Sequence, residues 1–290
     1  MGQSFPARRD QARLKSRCWQ VDVTPVKIAT FNINNVNRRL PNLLAWLDAA
    51  KPDVVCLQEL KAADREFPIA AIESAGYGAA WCGQRTWNGV AILARDAQPV
   101  VTHQTLPGDS ADSQSRYLEA AIDGVLVTSI YAPNGNPQPG PKFDYKLAWL
   151  DRLIEHARNL IEANVPVVFA GDYNVVPTPF DIYPTRSWDD DALLQPASRE
   201  RFKTLIEQGW IDAIRSLHPN EPMYTFWDYK RGRWGRDAGL RLDHLLISPA
   251  LSSRIADASV DKTIRGEVGA SDHAPAWVLL KPPRKKKVTA

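Results

Sequence analysis

Only three cysteines, Cys18, Cys56 and Cys82, occur in 290 residues, and an odd count without paired spacing argues against a disulfide framework and a zinc site. Cys56, set among Val54, Val55 and Leu57, reads as a buried strand residue. No apolar run approaches the roughly 20 residues that a membrane helix needs. The longest, at 165–170, is strand-sized. The N-terminus lacks the apolar core of a secretory signal, so the chain is expected to stay inside the cell. Internal repeats are absent, as is any nucleophilic serine motif. What is present is an ordinary globular composition, 44% hydrophobic and 24% charged, with 16 Gly and 22 Pro.

The net charge of +3 is unevenly spread. Residues 1–25 carry Arg8, Arg9, Arg13, Lys15 and Arg17 against Asp10 and Asp22, a net +3, and residues 281–290 carry five cations and no acid; the body between is therefore −5. A mildly acidic body does not hold nucleic acid by overall charge. Such binding must come from local patches, the tails or a bridging cation. The expected organisation is a basic extension at 1–25, one domain at 26–280 and a basic tail at 281–290. Both tails read first as solvated termini; the extension's alternatives are an organelle-targeting peptide or an over-extended start.

From 26 to 280, short β-branched runs alternate with amphipathic helices and no domain linker intervenes, which is an α/β pattern. Strands are expected at 27–33, 53–57, 90–93, 124–131, 165–170, 242–247 and 276–280. Phe143, Leu147, Leu150, Ile154, Ala157 and Ile161, at steps of three and four behind Pro141, predict one long helix. Leu40, Leu43, Leu44 and Leu47 predict a shorter one. A third, capped by Ser198 and stopped by Gly209, should carry Phe202, Leu205 and Ile206 inward.

The chemistry lies where the apolar runs end. One finishes in Asn32 and Asn34, another in Gln58 and Glu59, a third in Tyr131 and Asn134, and a fourth in Asp172 and Asn174. Strand ends in an α/β sheet share a rim, so these acceptors can converge on one crevice. Ser271, Asp272 and His273 stand before the final strand, and Asp243 adds a carboxylate to a strand-like run. Carboxylates and amides with one histidine suit a hard, oxygen-ligated cation and hence phosphoryl transfer.

These residues, in this order, resemble the exonuclease III type of apurinic/apyrimidinic endonuclease within the endonuclease/exonuclease/phosphatase superfamily. The likeness rests on TFNIN at 30–34, LQELK at 57–61, NGVAIL at 88–93, YAPNG at 131–135, GDYN at 171–174, LRLD at 240–243 and SDHAP at 271–275. It implies a four-layer, deoxyribonuclease I-like α/β sandwich, with two central mixed β-sheets packed face to face and flanked by helices. It also makes Glu59 the principal ligand of Mg²⁺ or Mn²⁺, with Asn34, Asp272, Asp172 and Asn174 around the ion. Asn32 would stand beside the attacking water. Asp172, helped by Asn174, would orient or deprotonate that water, His273 would donate to the scissile phosphate, and Asp243 would fix the imidazole. Whether Asp172 or His273 is the base stays open. Tyr131 and Asn134 would contact the phosphate, Tyr131 also easing departure of the 3′ oxygen, and Lys61 and Arg116 would join the substrate-binding set.

The implied substrate is double-stranded DNA with abasic sites or damaged 3′ ends, cut by a monomer without membrane association. A baseless sugar would flip into a small apolar pocket formed by Phe226, Leu240 and Leu242. Family members often place Trp at one of these positions, so a looser pocket is expected, favouring 3′-to-5′ exonuclease or 3′-end trimming beside abasic cleavage; plain core packing is the other reading. Trp227, Tyr229, Lys230, Arg231, Arg233, Trp234 and Arg236 mix cations with aromatics as phosphate contacts and a groove wedge would. Gln84, Arg85, Thr86 and Trp87 are a shorter version. Asp189, Asp190 and Asp191 read as solvated turn residues, and His103, His156, His218 and His244 lack metal spacing. Two rivals stand beside this reading. A phosphodiesterase of lipid or inositol phosphates is disfavoured by the basic-aromatic loop, and an inactive nucleic-acid-binding module by the completeness of the polar set.

Overall fold

The β-branched runs become strands of two six-stranded mixed sheets in a computed structural model that describes residues 24–283. The arginine-rich stretch before residue 24 and the basic cluster after residue 283 lie outside the described residues. Numbered in chain order, the first sheet runs Ile255–Val260 (β11), Ala276–Leu280 (β12), Val26–Asn32 (β1), Val54–Gln58 (β2), Val90–Arg95 (β4) and Tyr77–Cys82 (β3). The second runs Val100–His103 (β5), Tyr117–Ile122 (β6), Val125–Tyr131 (β7), Val167–Asp172 (β8), Asp243–Ile247 (β10) and Ile211–Asp212 (β9).

Strand alternation gives each sheet two apolar faces. Ile28, Cys56 and Ile92 of one sheet meet Val127, Val168 and Leu245 of the other. On the outer face of the first sheet, helix Leu40–Ala50 (α1) lays Leu43, Trp46 and Leu47 against Phe31, Val55 and Leu57, beside the short helix Ile69–Ser74 (α2). On the outer face of the second, helices Pro141–Glu162 (α3) and Pro196–Glu207 (α4) pack Trp149, Leu153, Phe202 and Leu205 over Ile130 and Phe169. A last short helix, Ala213–Leu217 (α5), follows β9. The result is the four-layer sandwich that the resemblance implied. Among the described residues no helix is long and apolar enough to cross a membrane.

Pairing explains why the polar residues converge. The strands β1 and β2 are parallel, with Asn32 level with Gln58, and β7 and β8 are parallel, with Tyr131 level with Asp172. The strands β10 and β12 run the other way, so each brings its first residues to the same rim: Asp243 faces Asp172 and Ala276 faces Thr30. Asn32 Nδ2 donates to Asp172 Oδ2 across the two sheets at 3.0 Å.

Two expectations for α4 need correction. The helix starts at Pro196 behind Gln195, and Ser198 is a buried residue whose Oγ donates to Ala192 O at 2.8 Å instead of capping. Ile206 is left exposed, since the inward stripe is Ser198, Phe202 and Leu205.

Candidate active site

The chain leaves its strands at the rim in strained conformations. Asn34, Glu59, Lys61 and Asn174 have φ of 47°, 53°, 51° and 50°. Asn accepts the left-handed region readily, whereas Glu and Lys adopt it at a cost that surrounding structure must offset. Here the exits lock onto one another: Asn35 N donates to Glu59 O at 2.8 Å, and Lys61 N donates to Asn88 O at 2.9 Å.

One half of the site is built for a cation. Glu59 Oε1 accepts from Asn32 Nδ2 and from the Tyr131 hydroxyl, each at 2.9 Å, and Glu59 Oε2 lies 2.8 Å from Lys61 Nζ. The same ammonium donates to Asn34 Oδ1 at 2.6 Å, and Asn34 Nδ2 donates to Asp272 Oδ1 at 2.8 Å. Burial alone would raise the Glu59 carboxyl, but Lys61, Asn32 and His273 outweigh it and hold it below its ordinary value. A positive charge thus already sits among oxygen donors of the kind a hard divalent ion selects. Glu59, Asn34 and Asp272 would hold such an ion. When bound, it would polarise a phosphate oxygen.

The other half is a buried cluster of two carboxylates and an imidazole. His273 Nδ1 donates to Asp243 Oδ2 at 2.7 Å, and Nε2 lies 3.8 Å from Asp172 Oδ2. Burial disfavours the imidazolium, yet Asp243 and Asp172 overcome it and raise His273 to about 10. Burial raises Asp172 to about 7; Asp243 and Glu59 add to this, and His273 opposes it. Asp172, Asp243 and His273 bring ligand atoms within 4.8 Å of one another, a spacing open to a metal. The proton shared by Asp243 and His273 fills that pair, so the trio reads as a relay. A carboxylate tuned near neutrality suits proton abstraction, and an imidazolium suits donation to developing negative charge.

A residue that the sequence reading missed supports both halves. Lys146, fully buried on α3, donates to Asn134 O at 3.1 Å and Asn174 O at 2.5 Å. Its signal was available, since it shares the inward stripe of Trp149, Leu150 and Leu153. Asn134 Nδ2 in turn donates to Asn174 Oδ1 at 3.3 Å.

A cleft of about 690 Å³ opens over the cation half and is lined by Asn34, Glu59, Lys61, Arg116, Tyr131, Asn134 and Asp272. Arg116 covers the Tyr131 ring at 4.8 Å. Several substrate-binding expectations change. Lys61 belongs to the cation cluster through Glu59, and Asn32 bridges two carboxylates while wholly buried. Trp227 is 0% exposed, its Nε1 donating to Asp237 Oδ1 at 3.0 Å, so it cannot be a groove wedge. Gly239 permits this burial, because a Cβ there would stand 2.6 Å from Trp227 Nε1. Arg233 is 6% exposed with its guanidinium over Trp188, which takes it off the open surface; Arg231 remains exposed. Leu240 and Leu242 are packed with Val176 and Leu193, so they are core first; Phe226 keeps part of its ring open and lies 5.0 Å from the His273 ring. Asp191 is half-buried and accepts from Asn136 Nδ2 at 2.8 Å, while Asp189 and Asp190 are exposed.

A two-sheet sandwich with an acid–imidazole relay beside a hard-cation site defines a phosphoester hydrolase. Residues 29–273 match the endonuclease/exonuclease/phosphatase family, and the chain belongs to it, as a hydrolase of the nuclease type. Exodeoxyribonuclease III of Haemophilus influenzae is 31% identical over 268 residues, covering 88% of this chain and 100% of the relative. An AP endonuclease from Archaeoglobus fulgidus superposes with a TM-score of 0.83 at 35% identity, covering 88% of this chain and 99% of its own. The 3′ phosphatase NExo from Neisseria, seen bound to a product DNA hairpin, superposes with a TM-score of 0.85 at 36% identity, covering 88% and 99%.

Proposed function

We propose that the chain is a Mg²⁺- or Mn²⁺-dependent DNA repair nuclease that hydrolyses the phosphodiester 5′ to abasic sites in duplex DNA, with 3′-to-5′ exonuclease and 3′-end trimming at the same site. The observation that carries this reading is the juxtaposition of the His273–Asp243 pair and Asp172 with the Glu59–Asn34 cation cluster. A phosphodiester lying across the two halves meets a site for a divalent ion on one side and a base and a proton donor on the other. Water attacks phosphorus and gives its proton to Asp172, His273 hydrogen-bonds a non-bridging oxygen as charge develops there, and the bond to the 3′ oxygen breaks with the Tyr131 hydroxyl supplying that oxygen's proton. Asp243 holds the imidazole, and Tyr131, Asn134 and Arg116 line the phosphate's approach. The names carried by the similar proteins, AP endonuclease, exodeoxyribonuclease and 3′ phosphatase, point to the same ester chemistry on DNA. A neighbouring backbone phosphate would meet the exposed Arg38 at a second pocket, of about 390 Å³, which the buried Arg39 and Arg265, with Tyr229 and Glu267, also line. On this reading residues 26–280 act as one catalytic unit, monomeric and inside the cell.

The test is Mg²⁺-dependent nicking of a labelled duplex carrying one abasic-site analogue, beside an intact duplex with a recessed 3′ end, for wild type and Glu59→Ala. Cleavage 5′ to the lesion, lost with EDTA and in the variant, is expected. Digestion of the recessed end alone would restrict the enzyme to 3′-end trimming. Inactivity on both substrates would overturn the reading in favour of a non-DNA phosphate ester.

A further inference from the structure

Two aromatic side chains of the cleft take no part in the chemistry above, and both face solvent. Trp87 is 65% exposed and Tyr229 52% exposed, and both line the cleft that contains Glu59. Each ring has a cation against it: Lys61 Nζ lies 5.0 Å from the Trp87 centroid, and the Arg265 guanidinium lies 4.8 Å from that of Tyr229. Each is also held in place. The Tyr229 hydroxyl donates to Ala270 O at 2.8 Å and accepts from Arg39 Nη2 at 3.0 Å. Trp87 follows Thr86, a β-branched residue at φ 79°, in a turn tied by the Arg85–Glu66 ion pair and by Asn88 Nδ2 donating to Gln84 Oε1 at 2.7 Å. An exposed tryptophan on a strained, hydrogen-bonded turn differs from a solvated loop in a definite way. Strain and exposed apolar area are both unfavourable in the free protein, and stacking on a ligand offsets them.

We infer that Trp87 is a stacking platform for an unpaired nucleobase beside the scissile phosphate, with Tyr229 as the facing wall. The inference rests on the DNA-nuclease reading and deepens it by naming the surface that would hold the base of a frayed 3′-terminal nucleotide. Every nucleobase has a π face, so a stacking wall accepts any of them without reading sequence. Lys61 joins the platform to the chemistry, because the ammonium under Trp87 also contacts Glu59. Buried Leu240 and Leu242 favour the same mode, since a base held on an open wall needs no apolar cavity.

The experiment measures equilibrium binding, with Ca²⁺ in place of Mg²⁺, of two dye-labelled DNA hairpins to the full chain. The hairpins differ only in whether one unpaired 3′-terminal residue carries a base or is abasic. Wild type should bind the base-bearing end more tightly; Trp87→Ala should weaken that complex by about 5- to 150-fold and leave the abasic complex unchanged, and Trp87→Phe should restore most of the difference. Equal affinity of wild type for the two hairpins, or an equal loss on both in Trp87→Ala, would overturn the inference. The nicking assay is read separately. Discrimination by binding without any cleavage would sink the nuclease reading while leaving the platform standing, and wild type that binds neither hairpin would sink both.

Discussion

The Glu59 half of the rim and the His273 half hold opposite charges together in different ways. Glu59 and Lys61 are each 16% exposed at the side chain, and the lysine stem is long enough to swing away. Asp243, on β10, and His273, bridged to Phe226 just before β12, are both buried. An ion pair at a wet cleft exchanges one cation for another at small cost, whereas breaking a buried pair strands a charge in low dielectric. The first half is therefore suited to loading, and the second to holding the imidazole in place beside Asp172 while the proton moves.

The largest break comes from the buried half. Asp172→Asn and His273→Asn should each lower kcat on a nicked or abasic duplex by roughly 10²- to 10⁴-fold, the usual contribution of a positioned acid or base. Binding of DNA should persist, as measured by anisotropy on the same duplex. Near-wild-type turnover in either variant would remove that residue from its role.

Next in size is the pH dependence. The rate of wild type should rise through about 7 as Asp172 loses its proton, and fall through about 10 as His273 loses its own. Asp243 raises both groups, so Asp243→Asn should move the whole profile toward acid. The falling limb should move further, because His273 loses its nearest carboxylate while burial, already the largest single influence and one that favours the neutral form, remains. An unmoved falling limb in the pH–rate profile of the variant would show that His273 does not set it.

How much of this was legible in the sequence depends on what each residue's surroundings are made of. The seven expected strands and the long helix stood out because their apolar residues repeat along the chain, and the rim stood out because polar acceptors close those runs. The strands β5, β9 and β11 did not, being an exposed edge, a two-residue pair and a polar edge strand. In β6, Glu119 interrupts the apolar pattern; it is buried because Thr102, Tyr117, His103 and His156 all bond its carboxylate. Trp227 misled for a related reason. It sits in a basic stretch that reads as surface, while its burial depends on Gly239 and Asp237, whose approach is set by tertiary folding. Lys61 entered the substrate-binding set through the resemblance alone, and its contact with Glu59 was not legible, because only the turn at Glu59 and Lys61 brings the ammonium back onto the carboxylate.

A smaller effect separates the two arginines of that stretch. Arg231→Ala should lower the salt dependence of DNA binding by about one unit of slope if its exposed guanidinium meets a phosphate. Arg233→Ala should leave the slope unchanged and lower thermal stability instead, since its guanidinium packs over Trp188. The measurement is a titration at several salt concentrations for both variants, and a fall in slope for Arg233→Ala would return that residue to the interface.

The smallest expected change is also the sharpest test of the difference between the halves. If Lys61 occupies the place of a metal and yields to it, a divalent ion must displace an ion pair that, at a partly exposed cleft, is worth no more than about 1 kcal/mol. Lys61→Met removes that competitor and should tighten binding of Mn²⁺ to the DNA-free protein by roughly two- to fivefold, as read by calorimetry. Glu59→Gln should weaken it, because the charged oxygen that both cations share is gone. Were Lys61→Met to weaken Mn²⁺ binding instead, the ammonium would be shaping the ligand set through Asn34 and not competing for it. The cation half would then be as fixed as the relay.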